Sequence, residues 1–405
     1  MRILLTHNNY SVQGGAEVFY HEIGRLLEAN GHEVARFSCA EDGLDAPYAD
    51  YFPQVDHYGE GGLISKAARV PSVIYNRKAR AAMARLIADF RPDIIHGFAI
   101  YGRLTPAILD AARAAKVPVV LSCNDYKHIC PNYKLFHHGH LCEDCKGGRF
   151  SSALRNRCCH DSTAVSAVSM LEAYVHERLD LWRKNVDCFL FASRFMAAKT
   201  EAFWGKGRVK MDFLRNPFDA TAHHIPLHAG DYILYFGRLI EEKGVDVLIE
   251  AARRAPEVPV VIIGEGPDHE KLVRAAETLK NVRVVGPAWG EDLKTWLHGA
   301  RAVVVPSLWH ENFPYVILQS FAAGKPVLGA ERGGIPELVN AGPHGWLFDP
   351  LDPDALASHL TRICDIPDSR IMEMGAAAQR YVADEFNDTA IYSELKRIYG
   401  GIING

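Results

Sequence analysis

The chain has 405 residues, 48% of them apolar, and a formal net charge of −4. That is apolar material for two cores at ~100–200 residues per domain, and the slightly acidic balance excludes a dedicated nucleic-acid binder, which needs a net basic footprint. No stretch approaches the ~18 consecutive apolar residues of a membrane span, and the first residues enter a strand with no secretory leader; a cytoplasmic location is therefore expected, where cysteines are thiols or metal ligands and not a disulfide framework.

Arg2 to His7 reads as a short apolar strand, Asn8 to Gly15 as a loop, and Ala16 to Asn30 as a helix. Gly14 and Gly15 lie where a strand feeds a helix N-terminus, so they serve either a tight turn or a close approach of backbone to phosphate. Glu33 to Ser38 gives a second strand. From Lys66 to Arg91 seven cations interleave with apolar residues and one acid, Asp89. Read as one basic amphipathic helix, this segment either packs on the sheet with a solvated face, lies on an anionic membrane surface, or steers a phosphorylated acceptor. Asp93 to Gly97 and Val117 to Ser122 are buried strands separated by a helix, the grammar of a parallel, doubly wound sheet. His96, at a strand end, either caps the strand or touches a ligand.

Next comes a cysteine-rich insert, about 123–160, that begins Cys123-Asn124-Asp125. Cys130, Cys142, Cys145 and Cys158, with Cys159, His138, His140 or His160 as replacements, have the ligand types and CxxC spacing of a structural zinc–thiolate site. The alternative is a group of unligated or redox-active thiols. Helix, strand and helix follow to Trp204. The stretch from Asn216 to His228, rich in His and Pro, marks a domain boundary.

The second half repeats the strand, loop, helix alternation. Arg238 and Lys243 share a loop (Gly237 to Gly244) at a strand's carboxyl end, where two cations can hold a diphosphate. Each could instead pair with Glu241 or Glu242 at the surface. Gly264 and Gly266 open the next loop and Gly286 the one after. Val303 to Pro306 is a buried strand, Ser307 to Pro314 a loop whose acid is Glu311, and Tyr315 to Ala323 a helix.

The segments GGAE (Gly14 to Glu17), GRLIEEKGVDVLI (Gly237 to Ile249), GEGP (Gly264 to Pro267), PSLWHENFPYVILQSFAAGKPVL (Pro306 to Leu328) and GGIPELV (Gly333 to Val339) together resemble the retaining, nucleotide-sugar-dependent glycosyltransferases of family 4, which have the GT-B fold. The cysteine-rich insert is similar to that of a bacterial subset engaged in surface-polysaccharide assembly. The resemblance implies an α/β architecture of two Rossmann-like domains with parallel sheets facing across a cleft: 1–216 for the acceptor, 217–378 for the nucleotide-sugar donor, and helices in 379–405 crossing back to the first domain. It implies that Arg238 and Lys243 bind the donor diphosphate, that Gly15 lets backbone approach it, and that Glu311 accepts hydrogen bonds from the sugar. Gly14, Gly237, Gly264, Gly266, Gly286, Asn312, Phe313 and Gln319 line the donor site, while Asn124, Asp125 and His96 lie near the acceptor or transferred sugar.

The chain departs from that pattern in three places. Gln319 stands where a ribose-binding glutamate is common, Pro314 where a glycine is frequent, and Asn124 where many relatives carry a histidine. The implied reaction is transfer from a UDP- or GDP-linked sugar to a glycan or lipid-linked acceptor, by front-face displacement without a catalytic metal, at the inner face of the cell membrane. The competing reading of the departures is a sugar-nucleotide-binding scaffold subunit that has lost catalysis.

Overall fold

The protein is described by a computed structural model over residues 1–12, 14–55, 63–340 and 343–404, with backbone alone for 63–67. The chain divides into two compact units: unit 1 comprises Met1–Leu135, Cys142–Pro217 and Asp388–Gly405, and unit 2 comprises Phe136–Leu141 and Phe218–Asn387.

Unit 1 is built on strands β1 (Arg2–Thr6), β2 (Glu33–Phe37), β3 (Ile94–Gly97), β4 (Val119–Cys123), β5 (Cys188–Phe191) and β6 (Met211–Phe213). They form one parallel sheet in the order β2-β1-β3-β4-β5-β6. Strands this apolar are covered on both faces, and the period of two sorts their side chains. Ile3 and Leu5 face a layer made by Phe19, Tyr20 and Ile23 of the helix Gly15–Ala29 and by Ile391, Leu395 and Tyr399 of the helix Asp388–Ile403. Leu4 faces the opposite layer, with Met83, Leu86 and Phe90 of the helix Arg77–Phe90. Each fully buried side chain of this size contributes about 1.5–3 kcal/mol of transfer free energy.

The segment expected as one basic helix is two, Leu63–Ile74 and Arg77–Phe90. Asn76 breaks it: its backbone is extended and its side chain accepts a hydrogen bond from the Ala79 amide, so it caps a new helix. The second helix buries Ala79, Ala82, Met83, Leu86, Ile87 and Phe90 and leaves Arg77, Lys78, Arg80 and Arg85 exposed. Among the described residues no helix is long and apolar enough to cross a membrane.

Unit 2 carries a second parallel sheet of β7 (Tyr232–Phe236), β8 (Val260–Ile263), β9 (Val282–Val285), β10 (Ala300–Val305), β11 (Val327–Ala330) and β12 (Gly345–Phe348), in the order β9-β8-β7-β10-β11-β12. The strand order reverses between β7 and β10, and in unit 1 between β1 and β3. Such switch points splay the loops at the carboxyl ends of the strands and leave a crevice for ligands.

Candidate functional site

In unit 2 the loops after β7 and β10 meet at the switch point. Gly244 has φ +68°, and a Cβ there would lie 2.1 Å from the Pro306 carbonyl oxygen, so only glycine lets the two loops close on each other. The Leu308 amide donates to the Glu242 carbonyl at 2.9 Å, which fixes their register. On this frame Lys243 Nζ donates to Glu311 Oε1 at 2.6 Å, and Ser307 Oγ donates to the same oxygen at 2.7 Å. Burial works against ionisation of Glu311, but the Lys243 ammonium and the hydrogen bonds hold its carboxyl below the usual carboxylate range. The Gly334 amide donates to the Glu311 carbonyl at 2.7 Å.

Arg238 is on the same loop, exposed, and makes no ion pair among the described residues. Its carbonyl accepts a hydrogen bond from Tyr235 at 2.8 Å. Gly264 and Gly266 press on this loop from the neighbouring one: their missing Cβ atoms would lie 1.9 Å from the Gly237 oxygen and 2.2 Å from the Leu239 oxygen. Gly286 is different, since a Cβ there would meet open space. Asn312 and Phe313 are both 9% exposed, and the Phe313 ring packs 5.6 Å from Phe386. The helix Tyr315–Ala322 starts from Pro314 without a side-chain cap, and the Ile317 amide donates to the Pro314 carbonyl at 3.1 Å. Gln319, on that helix, is half-buried and its amide has no hydrogen bond among the described residues. One crevice therefore gathers an unpaired guanidinium, an ammonium, a helix N-terminus and an ionised carboxylate. Such a set can bind an anion at one end and hydroxyls at the other.

Sequence reasoning did not single out Ser307, Trp309 or Gly333. Trp309 lies beneath Lys243, with Nζ 5.5 Å from the ring centroid. Gly333 has φ +60°, with its would-be Cβ 2.0 Å from the Glu311 oxygen. The Gly-Gly pair after β11 was the available signal for this close approach.

In unit 1 the helix Gly15–Ala29 begins at Gly14, again without a side-chain cap. Gly14 has φ −172°, an extended conformation open to any residue, so its turn does not require glycine. Asn9 Nδ2 donates to Glu17, the acid of the GGAE segment, at 3.0 Å, and Arg103 donates to Asn9 at 2.8 Å. Asp125 follows β4; Tyr101 donates to one of its oxygens and the Lys127 amide to the other at 2.9 Å. Burial pushes its carboxyl up to about 7. Beside it, Asn124 Nδ2 is buried without a partner.

His96 has the surroundings of a core residue. It is 0% exposed, stacked 4.3 Å from Phe98, with Tyr399 on Nδ1 at 2.7 Å and Ser122 on Nε2 at 2.8 Å. Burial alone pulls its pKa down to about 3, so the ring is neutral and both nitrogens are occupied within the fold.

The expected zinc site finds no support in the geometry. Among the described residues no three His, Cys, Asp or Glu side chains are grouped to hold a metal ion. Cys145 instead packs with Phe150 and Ala153, and Cys158 and Met170 lie against them. Burial pushes the thiols of Cys130 and Cys145 up, to about 11 and about 12. Cys142 and Cys158 are also free thiols, and His138, His140 and His160 are exposed.

Two family models match the chain: Glycosyltransferase Family 4 over residues 13–222 and Glycosyl transferases group 1 over residues 225–380. The chain is 28% identical to a glycogen synthase of Mycobacterium tuberculosis, covering 98% of this chain and 94% of that one. It is 32% identical to a putative colanic acid biosynthesis glycosyltransferase of Salmonella typhimurium over 57% of this chain and 60% of the relative. Among solved structures it is similar to Anabaena HepE in complex with UDP and glucose, with a TM-score of 0.62, 18% identity, and coverage of 99% of this chain and all of the other. At that identity the likeness shows the fold alone, and the fold is GT-B.

Proposed function

This chain belongs to glycosyltransferase family 4, and from that premise we propose that it transfers a sugar, with retention, from a nucleoside-diphosphate sugar to a glycan or lipid-linked acceptor in polysaccharide biosynthesis. The Lys243–Glu311 pair at the switch point of unit 2, with the unpaired Arg238 on the same loop, carries the reading. In this scheme Arg238 forks onto diphosphate oxygens and Lys243 adds a point charge, so both gain strength as the phosphate leaves. Glu311, kept ionised by Lys243, accepts hydrogen bonds from sugar hydroxyls and orients the anomeric carbon. Gln319 offers its amide oxygen to the ribose without the charge assistance a glutamate would give. The loops at Gly264, Gly266 and Gly286 receive the base, UDP or GDP being the expected carriers.

The acceptor hydroxyl attacks the anomeric carbon on the face the diphosphate is leaving. The bond from that carbon to the phosphate oxygen breaks, the new glycosidic bond forms, and the acceptor proton passes to the departing phosphate oxygen. Acceptor and nucleotide sugar thus become glycoside and nucleoside diphosphate, with no glycosyl-enzyme intermediate. Asn124 and Asp125 are the acceptor-side groups. UDP-glucose and GDP-mannose turnover, followed by nucleoside diphosphate release, tests the reading. Release that Arg238→Ala abolishes supports it; release unchanged in that variant overturns the assignment of the diphosphate site.

A further inference from the structure

Unit 1 contains a second concave feature: a groove of about 890 Å³, within the usual range of ligand cavities. One wall is the last turn of the helix Leu63–Ile74, presenting Val70 and Val73, and the other is the helix Thr163–Arg178 and its cap, presenting Leu171 and Leu179. His176 joins the walls by donating from Nε2 to the Ile74 carbonyl at 2.7 Å. The helix Thr163–Arg178 buries the polar residues Ser166, Glu172 and His176 and leaves part of its apolar side uncovered. Here Leu171 and Leu179 remain 45% and 48% exposed. Single exposed leucines are ordinary, but two facing valines across one cavity are unfilled apolar surface.

The mouth of the groove is cationic. Arg77 and Lys78 line it, exposed and without an ion pair among the described residues, and no carboxylate is among the described residues that line it. Both occupy the first turn of the helix Arg77–Phe90, which has no acid there. Cations at the positive end of a helix repel its dipole, an arrangement that an anion between them relieves. The groove also touches the loop after β3. Gly102 lines it, Asn76 Nδ2 donates to the Arg103 carbonyl at 2.8 Å, and the adjacent Tyr101 donates to Asp125.

We propose that this groove binds a lipid phosphate, with the hydrocarbon tail between Val70, Val73, Leu171 and Leu179 and the phosphate at Arg77 and Lys78. Resting on the transferase reading, this makes the acceptor a sugar carried on a lipid phosphate, its head directed along the loop after β3 toward Asp125. A cationic mouth on an apolar trough distinguishes this ligand from a neutral glycan, which needs neither.

Binding of farnesyl monophosphate to the full chain, measured by calorimetry below its aggregation concentration beside farnesol and inorganic phosphate, tests the proposal. Saturable binding of farnesyl monophosphate is expected, at least about tenfold tighter than either comparison compound. The double variant Arg77→Glu/Lys78→Glu and the single variant Leu171→Asp should each weaken it at least about tenfold. UDP binding, measured in parallel, reports that each variant is folded. Equal binding by the variants, or no farnesyl monophosphate binding while UDP still binds, overturns the groove and leaves the donor site intact. Loss of UDP binding by the wild type with farnesyl monophosphate still bound overturns the donor site and supports the groove. Co-sedimentation with phosphatidylglycerol vesicles that Arg77→Glu/Lys78→Glu abolishes, without binding of the monomeric lipid phosphate, identifies a membrane-facing surface and overturns the groove.

Discussion

Lys243 Nζ sits 2.6 Å from Glu311 Oε1, a pairing across 68 residues that ties the loop after β7 to the loop after β10. The Glu311 side chain is 6% exposed and that of Lys243 is 23% exposed, so this pair is partly desolvated. Removing one partner strands the other charge.

Lys243→Met should accordingly destabilise the protein by about 2–3 kcal/mol, at the low end for a broken buried pair because Lys243 retains some solvent. Lys243→Met/Glu311→Gln should recover much of that loss. The measurement is a double-mutant cycle from urea titrations at neutral pH. Additive single-variant effects would contradict the coupling. Because the folded carboxyl of Glu311 lies below its ordinary value of 4.5, its contribution is present above that pH and disappears as pH falls through the folded value.

Arg238→Ala separates catalysis from stability. The side chain is exposed and unpaired, so the unfolding free energy should stay within about 0.5 kcal/mol of the wild type. Turnover should fall by about 10²–10³, the usual cost of losing one group that stabilises transition-state charge. Urea titration and nucleoside diphosphate release on the same preparation give both numbers. Comparable losses in the two would make Arg238 structural.

Asp125 gives a pH dependence of the opposite sign. Its carboxyl is raised by burial from 3.8 to about 7, so the folded state holds a proton that the unfolded state releases between those values. Stability from this group is full below the unfolded value and falls as pH rises toward 7. Asp125→Asn removes the term: relative to wild type it should gain stability from pH 4 to pH 7, with an upper bound of roughly 4 kcal/mol. Melting curves across that range check the slope, and a difference independent of pH would refute it.

The glycines of unit 2 should not behave alike. Gly333→Ala places a Cβ 2.0 Å from the Glu311 oxygen at φ +60°, and should cost at least about 1–3 kcal/mol while displacing Glu311. Gly286→Ala meets open space and has no positive φ, so its effect should be within about 0.5 kcal/mol. Thermal unfolding of the two variants side by side, with UDP affinity as a second readout, decides the matter.

Much of the secondary structure was legible because its causes are local. The apolar run from Val303 to Pro306 and the helix expected from Tyr315 appear as β10 and the helix Tyr315–Ala322. A parallel strand covered on both faces is apolar at nearly every position, and that tendency is written in consecutive residues, although β10 also buries Arg301. The alternation of such runs with helices also fixed the α/β class. The single basic helix was misread from Lys66 to Arg91, because interleaved charge and apolarity continue across Asn76, while the break depends on that residue's capping bond.

What only the tertiary structure decided concerns partners far apart in the chain. Arg238 and Lys243 were visible as two cations on one loop, but not that Lys243 is held by Glu311 and Arg238 is unpaired. His96 was visible at a strand end, but its ring is enclosed by Tyr399, 303 residues away. The cysteine spacing matched a zinc site, yet spacing fixes only separations along the chain, and packing around Cys145 set the rest. Local sequence states which residues must be covered or capped. Coulombic pairing, close backbone approach and an unfilled groove depend on distances in space, and strand order sets those distances.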